Sequence, residues 1–104
     1  MIIDERTYTI STAEMKNFLT LYENEGLEIQ KRLLGNLIGY FTTETGVLNQ
    51  VVHWWAFADL GERQARRADL WADEAWQRYA AKVLPLIVRM ENRLLTPTTF
   101  SPLR

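Results

Sequence analysis

At 104 residues and 47% hydrophobic content, the chain can bury roughly two-thirds of the surface its unfolded form exposes, so one domain spanning 1–104 folds without staples. A formal net charge of −1 with interspersed signs gives no basic field for nucleic acid, and zero cysteines leave no disulfide or thiolate metal site. No apolar run approaches the roughly 20 residues of a membrane span, and MIIDERTYTI has neither a secretory nor an Arg-rich transit pattern, so a cytoplasmic location is expected.

Residues 2–10 alternate and are rich in Ile, Thr and Tyr, which predicts a strand. Ile2, Asp4, Arg6, Tyr8 and Ile10 share one face; Ile3, Glu5, Thr7 and Thr9 share the other. A helix is predicted from Ser11, whose hydroxyl can cap the first turn while Glu14 reaches back from three residues on. Met15, Phe18, Leu19, Tyr22, Ile29 and Leu33 then recur at the helical period. Burying each such side chain is worth about 1.5–3 kcal/mol, so this stripe docks on a sheet. Gly26 lies on the stripe at a cost of roughly 1 kcal/mol against Ala, and marks either a close helix-to-sheet approach or a local break.

Residues 37–43 form the second predicted strand, led in by Gly35, and a turn at 44–46 sends the chain back into a third at 50–57, completing a hairpin. Asp59 and Asp73 are successive helix caps, with Glu62 in the capping-box position behind the first. The second segment carries Trp76, Tyr79, Ala80 and Val83 on one side until Pro85 weakens it. Residues 89–96 read as the last strand, with helix as the competing reading of MENRLL, and Pro97 and Pro102 leave 97–104 as an extended tail. The order is therefore α+β and ferredoxin-like: βαββαβ, a four-stranded antiparallel sheet with its second helix broken in two.

The third strand is apolar on both faces, with Val51, His53, Trp55 and Phe57 on one and Val52, Trp54 and Ala56 on the other. Ile38 with Tyr40 backs Leu37 with Phe41 in the same way. Helices cover one face only, so a second copy of the chain is the simplest cover for the other, giving a homodimeric α/β barrel.

Several segments together resemble the NIPSNAP family: DERTYTI, GNLIGYFTTETG running into VLNQVVHWWAF, ERQARRADLWADEAWQ, and ENRLLTP with the tail FSPL. They span nearly the whole chain in order. Glu5 departs from the apolar residue usual in the family's ELRTY, and Val47 stands where a proline is common. The resemblance implies the dimeric α/β-barrel architecture without naming a reaction. Related barrels include cofactor-independent monooxygenases, haem-degrading enzymes, and lactone isomerases or cyclases, which share a cavity against the sheet.

His53 is the chain's sole histidine and the one side chain with an unperturbed pKa near neutrality, hence the candidate proton donor or acceptor. The alternative is a strand histidine satisfied by polar neighbours. Arg6, paired with Asp4 on the Tyr8 face, could orient an anionic or carbonyl ligand or serve as an interface ion pair. Tyr8, Tyr40 and Trp55 complete the pocket candidates, and the four tryptophans either line a cavity or fill a core. Arg63, Arg66 and Arg67 read as a solvated face ion-paired locally through Glu62 and Asp69, with Arg63 and Arg67 one turn apart as candidate partner contacts. No phosphate loop, nucleophile–base pair or metal set is visible, so no cofactor and no metal are expected. The expected function is an apolar cavity for a small hydrophobic or aromatic metabolite, with cofactor-independent chemistry or with none; the other reading is a non-catalytic scaffold.

Overall fold

The computed structural model describes all residues, 1–104. Strand β1 (Ile2–Ile10) leads into α1 (Met15–Leu21), a π-helical turn (Tyr22–Gly26) and α2 (Leu27–Leu34). Then come β2 (Asn36–Thr42), β3 (Gln50–Phe57), α3 (Leu60–Ala72), α4 (Glu74–Val83), a single 3₁₀ turn at Leu84–Leu86 and β4 (Ile87–Leu95). The sheet order is β2-β3-β1-β4 with every neighbour antiparallel, the ferredoxin-like arrangement expected from the element order.

All helices lie on one face, and the core forms between them and the inner residues of the two central strands. Ile10, Val51, Trp55 and Phe57 are buried from the sheet side; Phe18, Leu34, Leu70, Trp76 and Tyr79 meet them from the helices. The Asp59 and Asp73 caps form as predicted, accepting from the Glu62 and Trp76 amides at 2.8 and 2.9 Å. The Glu62 carboxylate turns back one residue further than the motif requires, to the Ala58 amide at 2.6 Å.

Three expectations are corrected. Ser11 does not cap α1. Its carbonyl accepts from the Glu14 amide across a turn with Ala13 in the left-handed region at φ 72°, and the helix begins only at Met15 without any side-chain cap. Gly26 does mark a break and a close approach, but its neighbour is α4, not the sheet: a Cβ there would lie 2.7 Å from Tyr79 Cζ. The π turn that ends at Gly26 leaves Tyr22 buried against the same ring.

The third correction concerns β2. Its register against β3 shifts between Leu37 and Gly39, so Leu37 pairs with Trp55 and Tyr40 pairs with His53. One bulged residue reverses the alternation, which puts Leu37 and Tyr40 together on the helix-covered face and Phe41 on the other. The uncovered face is apolar over β2–β3, where Phe41 packs edge-on against Trp54, but polar over β1–β4. There Glu5 accepts from Trp54 Nε1 at 3.0 Å and from Arg93 at 2.6 Å. The departure at Glu5 is thus used: the carboxylate ties the indole to the edge strand. No helix is long and apolar enough to cross a membrane.

Candidate functional site

Strand alternation places Asp4, Arg6 and Tyr8 on the helix-facing side of β1, and the antiparallel register supplies their neighbours. His53 of β3 stands opposite Arg6, Trp55 opposite Asp4, and Asn92 and Met90 of β4 opposite Arg6 and Tyr8. Above them, α3 presents Arg63, Arg67 and Leu70, spaced four and three residues apart along one stripe.

Asp4 is buried and accepts from three donors: Asn92 Nδ2 at 3.0 Å, Arg63 Nε at 3.0 Å and Arg6 Nη1 at 3.3 Å. Arg6 Nε donates onward to the Tyr8 hydroxyl at 2.8 Å. Burial alone would push the Asp4 carboxyl up, but the Asn92 hydrogen bond and the Arg6 and Arg63 guanidiniums outweigh it and hold the group below its ordinary value. One carboxylate therefore serves two arginines. Arg67, one turn beyond Arg63, has neither a hydrogen-bond nor an ion-pair partner, and burial together with the neighbouring Arg6 lowers its pKa.

His53 is 1% exposed. Trp55 Nε1 donates to its Nδ1 at 2.7 Å, so the neutral ring carries its proton on Nε2, which has no partner. Tyr40 stacks on the imidazole at 4.5 Å and Tyr8 meets it edge-on at 4.9 Å. Burial, reinforced by the Arg6 charge, lowers the His53 pKa to about 3. The aromatic contacts continue from Tyr40 to Tyr22, Tyr79, Trp76 and Trp71 at centroid separations of 4.8 to 6.2 Å. Burial raises the Tyr22, Tyr40 and Tyr79 pKa values, so all three remain protonated donors.

These rings enclose a cavity between the sheet and the helices. Water centres have about 80 Å³ within it, room for several waters or one small ring. Arg6, Tyr8, Tyr22, Tyr40, Arg67, Trp76 and Tyr79 line it, and Trp71, Leu84 and Met90, each about two-fifths exposed, stand at its solvent side. The Trp76 indole N–H is buried here without a partner.

Of the residues predicted from sequence, Arg6, Tyr8 and Tyr40 line this cavity, whereas His53 and Trp55 lie behind them in the core. Trp71 and Trp76 are the cavity tryptophans; Trp54 is on the opposite face. The arginines of α3 are not a uniform solvated face. Arg66 pairs with Glu62 at 2.9 Å as expected, but Arg63 reaches the buried Asp4 and Arg67 the cavity. Their four-residue spacing, continued by the buried Leu70, was the available signal. No group of three or more His, Cys, Asp or Glu side chains is close enough to hold a metal ion.

A ferredoxin-like sheet with a cavity under its helices defines the structural class, and comparisons with known proteins narrow it. The NIPSNAP family profile matches residues 3–102. A solved NIPSNAP family protein from Agrobacterium tumefaciens is 48% identical, with a TM-score of 0.98 over 99% of this chain and 98% of its own. The zebrafish protein NipSnap homolog 1 is 39% identical over 67 residues, 64% of this chain but only 24% of its own length. The chain belongs to the NIPSNAP family. A cofactor-independent oxygenase from Streptomyces nogalater shares the fold at 15% identity, with a TM-score of 0.66 over 97% of this chain and 96% of its own.

Proposed function

We propose that this chain forms a homodimer in which each subunit binds one small hydrophobic or aromatic metabolite between the sheet and helices α3–α4. The cavity carries this reading: 13 of its 16 lining residues are hydrophobic, its walls are aromatic, and its three polar residues, Arg6, Gln30 and Arg67, come from β1, α2 and α3. Binding is favoured over proton-transfer catalysis because no carboxylate and no histidine lines the cavity. Behind the wall Asp4 is held ionised and His53 is neutral with its Nδ1 already occupied, while burial keeps Tyr22, Tyr40 and Tyr79 protonated.

A second reading, cofactor-independent oxygenation or isomerisation in the same cavity, draws on the fold shared with the Streptomyces nogalater oxygenase. In that case the substrate supplies its own labile proton and Arg6 with Tyr8 and Tyr40 orients it. Turnover of an oxidisable aromatic substrate by the natural protein separates the two, and unchanged turnover in a folded His53→Ala variant would remove His53 from that chemistry.

The dimer half of the proposal rests on the apolar strip of Phe41, Val52 and Trp54 on the uncovered face. Phe41 is 48% exposed. Multi-angle light scattering is expected to give twice the chain mass for the natural protein. Phe41→Glu, which puts a charge on that strip, is expected to weaken the dimer tenfold or more while far-UV circular dichroism stays unchanged. A natural protein that runs as a monomer at micromolar concentration contradicts this half.

A further inference from the structure

Resting on the cavity reading above, we infer that the ligand is an aromatic acid of about one ring, its carboxylate held by Arg67. Arg6, Arg63 and Arg67 converge on a region that contains the single carboxylate of Asp4. Asp4 accepts from Arg6 and Arg63, and Arg6 spends its Nε on Tyr8. Arg67 is left with all its donors free on the wall of the cavity, half-buried and without a partner.

The other polar lining groups point the same way. The buried Trp76 indole N–H has no acceptor in the chain. Two neutral acceptors on the wall are already engaged: the Gln30 side-chain oxygen takes the Tyr22 hydroxyl at 2.5 Å, and the Tyr8 hydroxyl takes Arg6 Nε at 2.8 Å. The unpartnered Trp76 N–H and the free, positively charged Arg67 guanidinium favour a ligand that brings acceptors and a negative charge, and a planar guanidinium matches a carboxylate bidentately. The volume sets the size, since the space suits one ring and the walls are aromatic. Arg67 is therefore the specificity-determining residue, discriminating acids from neutral molecules of the same shape.

Titration of the ¹⁵N-labelled protein with benzoate and, separately, with benzamide tests this through the four tryptophan indole signals. Trp71 and Trp76 report the cavity, and Trp54 reports the opposite face. Benzoate is expected to shift the Trp71 and Trp76 signals saturably and to bind at least tenfold more tightly than benzamide. Arg67→Met should reduce benzoate to the affinity of benzamide and leave benzamide unchanged; Arg67→Lys should restore part of the difference; Arg89→Met, an equal charge change on the exposed edge strand, should do nothing. Equal binding of the two probes at Trp71 and Trp76, or loss of benzoate in Arg89→Met to the same degree as in Arg67→Met, overturns the assignment while leaving the cavity intact. Shifts of neither cavity indole, or of Trp54 alone, overturn the cavity reading and this inference together.

Discussion

Asp4→Ala is expected to destabilise the fold by about 3–5 kcal/mol, the cost of breaking a buried ion pair from one side. The wild-type carboxylate is 1% exposed and is the common acceptor for Arg6, Arg63 and Asn92, joining β1 to β4 and to α3. Without it Arg6 keeps only its bond to the Tyr8 hydroxyl, and two guanidiniums face each other with no counter-charge. Asp4→Asn preserves the shape but removes the charge, and should cost nearly as much. Asn92→Ala removes one neutral donor and should cost about 1 kcal/mol. Urea unfolding at pH 7.5 measures all three; a change below about 1 kcal/mol for Asp4→Ala would show that water enters and solvates the arginines.

The second large effect is acid lability set by His53. Its folded pKa, about 3, lies below the ordinary 6.5. A group so depressed is neutral in the fold and protonated in the unfolded chain across that window. The stability it contributes is complete above pH 6.5 and is lost as the pH falls toward 3, by an amount on the order of 4 kcal/mol. Geometry gives an independent reason for the direction. Protonating Nδ1 would set one donor against another, because Trp55 Nε1 already points at it from 2.7 Å. Arg6 and Arg67 add repulsion that Asp4 only partly offsets. Asp4, also depressed, adds its own loss below its unfolded value of 3.8. Unfolding free energies at pH 7.5, 6.0 and 5.0 should therefore fall steadily in the natural protein and stay nearly level in a folded His53→Phe variant. Equal slopes in the two would place the acid sensitivity elsewhere.

Much of this was written in local patterns. Period-two alternation put Asp4, Arg6 and Tyr8 on one face, the two Asp caps divided the second helix, and the stripe through Trp76, Tyr79, Ala80 and Val83 faced the core as the helical period required. What escaped depended on distant partners. The Ser11–Glu14 pattern satisfies a capping box, yet Ala13 takes a left-handed turn and the helix starts later. The bulge in β2 is visible only against β3, and without it Tyr40 reads as sharing a face with Ile38. Arg63 has acidic neighbours within its own helix, but the carboxylate that binds it is 59 residues away. Local charge spacing overestimates solvated pairing wherever a buried acid competes. The sequence singles out His53 as the one side chain with an unperturbed pKa near neutrality, and the fold buries it beneath the cavity wall as the acceptor of the Trp55 indole N–H.

Native mass spectrometry of freshly purified protein tests the central claim most directly, because one spectrum reports assembly and retained small molecules together. The predicted result is a dimer carrying a discrete additional mass for each subunit, lost on denaturation and matching a small organic compound. A bare monomer would contradict both halves of the proposal, and a dimer without added mass, unchanged after incubation with benzoate, would contradict the binding role assigned to the cavity.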